Sequence, residues 1–312
     1  MISIAKTGRR SADDYIIAVL GIRPLHAYLT KRTKAMLNHN DHSRDSVGLT
    51  YIYPVISRRA GGVSIGINLN TNNACNWACL YCQVPDLIRG GPPPIDLEQL
   101  EAELRTFLHA AIDGDFLARE APPEARRLMD IAFSGNGEPS SAAEFGEAVA
   151  LVETVLRDFN LLDTLKIRLI TNGSLLHRPA VRRSIRHIGA LNGEVWFKID
   201  RATTAGIALV NNIKMTPQHV RTALLTCAEL APTWVQTCYF AIDGEEASEE
   251  EQHAYLKLIK SVATKIEGVH LYGLARPSRQ ASSQRLSNVP QEKFLRFAKQ
   301  ITALGLEVVA TP

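Results

Sequence analysis

Cysteine is scarce, neither sign of charge dominates, and no long apolar run occurs in these 312 residues. A membrane-spanning helix needs about 20 consecutive apolar residues. The apolar run at residues 16–20 is far shorter and follows Asp13 and Asp14, so it is not a signal-peptide core. Arg9-Arg10 leads into Ser-Ala-Asp-Asp rather than an apolar stretch, which argues against export. A net charge of +3 is too small to imply nucleic acid by itself. Cys227 and Cys238 fall on helix and strand patterns and read as core packing in a reduced protein. Repeats and low-complexity blocks are absent. The expectation is a cytoplasmic protein that makes no use of a membrane.

What is present is ordinary in bulk and informative in order. With 46% hydrophobic and 21% charged residues, the chain can bury a core large enough for one α/β domain or two small ones. From about residue 64, short apolar runs alternate with amphipathic stretches. Strands are expected at residues 64–70, 130–134, 165–171, 194–199, 234–241, 268–273 and 306–309. A helix is expected to start at Asp96, with Gln99 as capping-box partner. Further helices fit residues 142–159, 180–188, 217–230, 249–265 and 290–304, the last closed by Gly305 in a left-handed cap. Such alternation predicts a mostly parallel sheet covered by helices. Six strand–helix units imply an open, partial (βα)6 TIM-like barrel with its active site at the carboxyl ends of the strands. A doubly wound sheet is the rival. Residues 1–63, with a basic stretch at 31–44, read as an N-terminal extension packing on a barrel domain of residues 64–312. The acidic stretch 243–251 reads as a solvated turn feeding a helix N-terminus.

Three of the five cysteines lie within Cys75-Asn-Trp-Ala-Cys79-Leu-Tyr-Cys82, directly after the run Ile65-Gly-Ile-Asn-Leu-Asn70. Three thiolates on one loop hold three irons of a 4Fe-4S cube, whereas a fully protein-ligated cube takes four. The remaining iron is open to an outside molecule, as in a catalytic metal site. A zinc site completed by a distant histidine is the alternative, as are three unpaired buried thiols. The spacing, with an aromatic residue just before the third cysteine, resembles the signature of the radical S-adenosylmethionine (SAM) superfamily. The resemblance implies a 4Fe-4S cluster held by Cys75, Cys79 and Cys82, with SAM chelating its open iron. Reductive cleavage of SAM then yields a 5′-deoxyadenosyl radical, and a flavodoxin or ferredoxin is the implied electron donor.

Later strand ends extend the likeness. Ile131-Ala-Phe-Ser134 runs into Gly135-Asn-Gly-Glu138-Pro139, which is similar to the superfamily's Gly-Gly-Glu-type segment. That similarity assigns Gly135, Gly137 and Glu138 to the methionine end of SAM. Thr171 and Asn172, before Gly173, would face ribose hydroxyls, or simply form an Asx-type turn. Tyr81 would lie near adenine or pack in the core. Lys198 and Asp200 share one side of a strand by period two, as a structural ion pair or as groups acting on SAM or substrate. Arg276 and Arg279 at a strand mouth suit an anion clamp.

The order of these motifs over residues 64–280 looks most like the wyosine-type tRNA-modifying branch of radical SAM iron–sulfur oxidoreductases. That branch has a second cluster on upstream cysteines, and residues 1–74 contain none. Three substrate classes stay open: a tRNA base, a small molecule or peptide, and a glycyl-radical enzyme for which the chain is the activase. A non-catalytic zinc or iron–sulfur binding module is the alternative from a different class.

Overall fold

The structure, a computed structural model, describes Leu37 and residues 47–57 and 61–312. The expectations for residues 1–36 and for the basic stretch 31–44, Leu37 apart, lie outside the described residues. An eight-stranded sheet organises the molecule: β1 (Ile52–Ser57), β2 (Gly62–Ile67), β3 (Leu128–Phe133), β4 (Lys166–Thr171), β5 (Glu194–Lys198), β6 (Thr233–Cys238), β7 (Gly268–Tyr272) and β8 (Glu307–Thr311). Spatial order follows chain order, and the first and last strands do not pair. From β2 onward every pairing is parallel; only β1 against β2 is antiparallel. The result is a curled, open partial barrel, as the alternation predicts.

Helices fill the six crossovers: α1 (Leu97–Ile112), α2 (Phe145–Asp158), α3 (Pro179–Ala190), α4 (Thr204–Asn211) with α5 (Pro217–Ala228), α6 (Glu249–Lys260) and α7 (Gln291–Thr302). Each expected strand and helix is present, with shifted ends. The long strand expected at 234–241 breaks at Tyr239, and Phe240–Ile242 pairs instead with Leu286–Asn288. Gly305 takes φ +84° just beyond α7. At α1 the capping box is half formed. Asp96 accepts from the Gln99 backbone N–H at 2.9 Å, but the Gln99 side chain turns to Thr50 and Glu103. The Asp96 N–H is satisfied by the Tyr51 hydroxyl at 3.0 Å.

Several elements escape the sequence reading, among them β1, α4, a short helix at Phe116–Glu120 and the strand Leu286–Asn288. β1 carries Pro54, which has no N–H to donate and is tolerated because β1 is an edge strand, one side of whose backbone has no ladder partner. α4 is short and rich in apolar residues, with Thr203 capping it through the Gly206 N–H, so it shows no amphipathic period.

The strands are two-sided. Ile65, Ile67, Ile131, Phe133, Ile167 and Leu169 are fully buried, against the inward faces of helices such as Leu104, Val152 and Ile185. Alternate residues, among them Asp130, Arg168, Trp196 and Gln236, face the concave side and line a cavity of about 300 Å³. Burial of the outer row stabilises the fold at roughly 25 cal/mol per Å² of apolar surface, and leaves the inner row to line the cavity. Among the described residues, no helix is long and apolar enough to cross a membrane.

Candidate active site

The cysteine loop leaves β2 and crosses the cavity mouth at the carboxyl ends of the strands. Cys75 ends a two-residue strand that pairs with Ile88–Arg89. The loop is fixed from three directions by protein groups. The carbonyls of Val210 and Asn211, left open at the end of α4, accept the Leu80 and Ala78 N–H groups at 2.8 and 3.3 Å. The segment after β7 supplies the Ser278 hydroxyl to the Leu80 carbonyl at 2.6 Å and the Gln280 amide to the Val84 carbonyl at 2.9 Å. Asn76 accepts from Asn172 Nδ2 at 2.9 Å and donates to Ser174 Oγ at 2.7 Å.

Cys75, Cys79 and Cys82 all border the cavity, as do Gly135, Gly137 and Glu138. Tyr81, Asn172, Lys198 and Arg276 join them, whereas Thr171 and Asp200 stand behind the wall. Gly137 has no room for a side chain: a Cβ there would lie 2.2 Å from the Ala74 carbonyl oxygen. Arg279 is exposed, and its backbone N–H donates to the Cys82 carbonyl at 2.9 Å.

Glu138 is 2% exposed. Its Oε1 accepts from the Ser140 N–H and hydroxyl and from the Thr171 hydroxyl, and its Oε2 from the Asn172 N–H at 2.7 Å. Burial raises its pKa while these donors pull it down. The carboxylate therefore ties the Gly-Asn-Gly-Glu turn to the end of β4. Thr171 and Asn172 are bonded within the same network, Asn172 through the Asx turn that the sequence suggests.

On the opposite wall, Asp200 is 4% exposed. It accepts the Tyr81 hydroxyl at 2.6 Å, the Asn211 amide at 2.9 Å and the Cys238 N–H at 3.0 Å. Lys198 sits with its ammonium 4.9 Å from the centre of the Tyr81 ring. Burial would lower its pKa, but Tyr272, Asp200 and two thiols outweigh burial and hold it above the ordinary lysine value. It is a fixed cation in the cavity. Its register partner on β6 is Gln236, whose 3% exposure is on the cavity side. Thr237 and Tyr239 point to the outer layer, bonded to Tyr255 and Glu246.

The thiols suit a cluster. Cys75 Sγ accepts the Trp77 N–H at 3.4 Å and Cys79 Sγ accepts the Asn211 amide at 3.3 Å, the N–H···S contacts that support thiolate ligands. Without metal, burial pushes Cys75 up to about 11 and Cys79 up to about 12. Among the described residues, no three His, Cys, Asp or Glu groups converge on a point where one metal ion would sit. Sequence reading missed Asn76, Asn211, Ser278 and Gln280. Asn76 had a signal, its place inside the cysteine motif; the others had none.

No known family model matches the chain. A GTPase Obg of Brachyspira hyodysenteriae is 24% identical over 157 residues, 50% of this chain and 20% of that protein. The present sequence has no Gly-x-x-x-x-Gly-Lys-Ser/Thr phosphate loop. A UPF0026 protein of Helicobacter pylori is 25% identical over 135 residues, 43% of this chain and 38% of that protein. The chain thus spans well under half the length of these curated relatives. Among solved structures, a radical SAM methyltransferase from Sphaerobacter thermophilus superposes with a TM-score of 0.59 at 16% identity, covering 96% of this chain and 84% of that one. The fold is the same partial barrel.

Proposed function

We propose that the chain is a radical SAM enzyme whose Cys75, Cys79 and Cys82 hold a 4Fe-4S cluster. The observation that carries the proposal is one cavity, at the carboxyl ends of parallel strands, bordered by three loop thiols, a Gly-Asn-Gly-Glu turn and the Lys198 ammonium. When bound, cluster and SAM supply reductive cleavage to methionine and a 5′-deoxyadenosyl radical, with a flavodoxin or ferredoxin as electron source.

The chain's own groups hold and orient. Gly135 and Gly137 bring backbone to the cavity edge, and Glu138 fixes that turn to Thr171 and Asn172. Arg276 and Lys198 add positive charge for carboxylate or phosphate groups of SAM or substrate. Below them Trp196, Gln236 and Arg168 line the wall available to a substrate, away from bulk water that would quench a radical. Residues 134–139 and 170–176 and Arg276-Pro277 resemble the wyosine-type branch, which makes a tRNA base the first substrate to test. Binding of tRNA should weaken steeply with salt, because phosphate contacts release counterions; absence of tRNA binding, without a stable organic radical formed on a partner protein, favours a small molecule or peptide.

Anaerobic reconstitution should give about four irons and four sulfides per chain. Dithionite with SAM should then release 5′-deoxyadenosine, and Cys79→Ala should abolish that release. Stoichiometric zinc uptake without SAM cleavage would show a binding module instead.

A further inference from the structure

We infer that Asn211 is a positioning residue for Cys79, and that its side-chain amide makes a cluster bound there easier to reduce. The inference rests on the radical SAM reading of the cysteine loop. Asn211 ends α4 and is 2% exposed. Its Nδ2 donates to Cys79 Sγ at 3.3 Å and to Asp200 Oδ2 at 2.9 Å. A ligating thiolate and a carboxylate are both acceptors, so both amide protons are committed and the orientation of the amide is fixed. Among the described residues, it is the one side-chain amide that donates an N–H to a sulfur of the cysteine loop; Asn76 meets Cys75 Sγ only through its Oδ1, at 3.9 Å.

The surroundings keep it there. Asp200 is held independently by the Tyr81 hydroxyl and the Cys238 N–H. Turning the Asn211 amide away would strip a buried carboxylate of a donor, which is costly. The Asn211 carbonyl also accepts the Ala78 N–H, so amide and sulfur ride on one contact between helix end and loop. An N–H donor to a thiolate favours the more negative, reduced cluster over the oxidised one, and burial strengthens the preference. The step at issue is uptake of one electron by the cluster, with dithionite as donor in the test.

Wild-type protein, Asn211→Leu and Tyr81→Phe are reconstituted anaerobically and checked for iron content and far-UV circular dichroism. Each is then titrated reductively against redox dyes while the electron paramagnetic resonance signal of the reduced cluster is followed. Asn211→Leu is expected to lower the reduction equilibrium about tenfold, or about 59 mV for one electron. Tyr81→Phe removes the other donor to Asp200 Oδ2 but leaves the amide on Cys79, so its shift should be less than threefold. If Asn211→Leu does not fold or load, Asn211→Ala takes its place with the same expectation. A variant carrying about four irons at the wild-type potential overturns the inference and leaves the cluster assignment intact. Equal shifts in Asn211→Leu and Tyr81→Phe also overturn it, since the effect would then pass through Asp200. Failure of the wild type to take up iron overturns the reading of the loop itself.

Discussion

Glu138, Thr171 and Asn172 form a chain of hydrogen bonds ending on Asn76 of the cysteine loop, so the loop's position depends on the turn after β4. Gly173 is the residue that permits this turn. It takes φ +69°, and a Cβ there would lie 2.2 Å from the Phe197 ring. Its N–H donates to Thr171 Oγ1 at 3.0 Å. Gly173→Ala therefore meets backbone strain and a clash with a buried ring together, at a cost of roughly 2–4 kcal/mol. Urea unfolding should show a lower midpoint with little change in slope, and a loss below about 0.5 kcal/mol would mean that the ring moves aside freely. The cysteines' place together at the cavity was legible because all three fall on one short loop. Asn211 was not: it lies 132 positions from Cys79 in sequence, and only the fold brings an ordinary helix-end asparagine to that sulfur.

At the scale of strands, the near-continuous apolar runs predicted a parallel sheet, but the concave face also carries charged and polar side chains. Arg168 is the hub of that face. It pairs with Asp130 and with Glu194 Oε1 at 2.7 Å, and lies 4.9 Å from the Trp196 ring centre. Those carboxylates come from neighbouring strands β3 and β5, so the pairing depends on register, which strand periodicity alone does not reveal. Arg168→Met keeps much of the volume but leaves Asp130 and Glu194 without their shared guanidinium, and should destabilise by about 3–5 kcal/mol in urea unfolding. The same hub sets a pH dependence. Burial would raise the pKa of Glu194, yet Arg168, with Lys166 and Trp196, outweighs it and holds the group below its ordinary 4.5. A depressed carboxylate contributes stability that is present above 4.5 and lost as pH falls through the folded-state value. Asp130, more deeply buried, is pushed upward by burial, so the comparison must isolate Glu194. Unfolding free energies measured from about pH 6 to about pH 3 should fall less steeply for Glu194→Gln than for wild type.

Across the whole molecule, the layer that stabilises the fold and the layer that lines the candidate site are opposite faces of one sheet. The outer face carries the continuous core, while the cysteine loop is fastened to α4, to the segment after β7 and to the turn after β4 by bonds between protein groups. Each of these bonds joins two protein groups directly. In small metal-dependent domains, by contrast, ligand binding supplies the folding free energy. The variant with Cys75, Cys79 and Cys82 all changed to alanine should therefore keep its far-UV circular dichroism and unfold in one cooperative step. Wild-type protein loaded with iron and sulfide under anaerobic conditions should melt higher than unloaded protein, because a ligand that binds only the folded state stabilises it. The alanine variant should gain nothing from the same treatment. A variant without cooperative unfolding would mean that the loop's anchors depend on the cluster, and that the two faces of the sheet are not energetically separate.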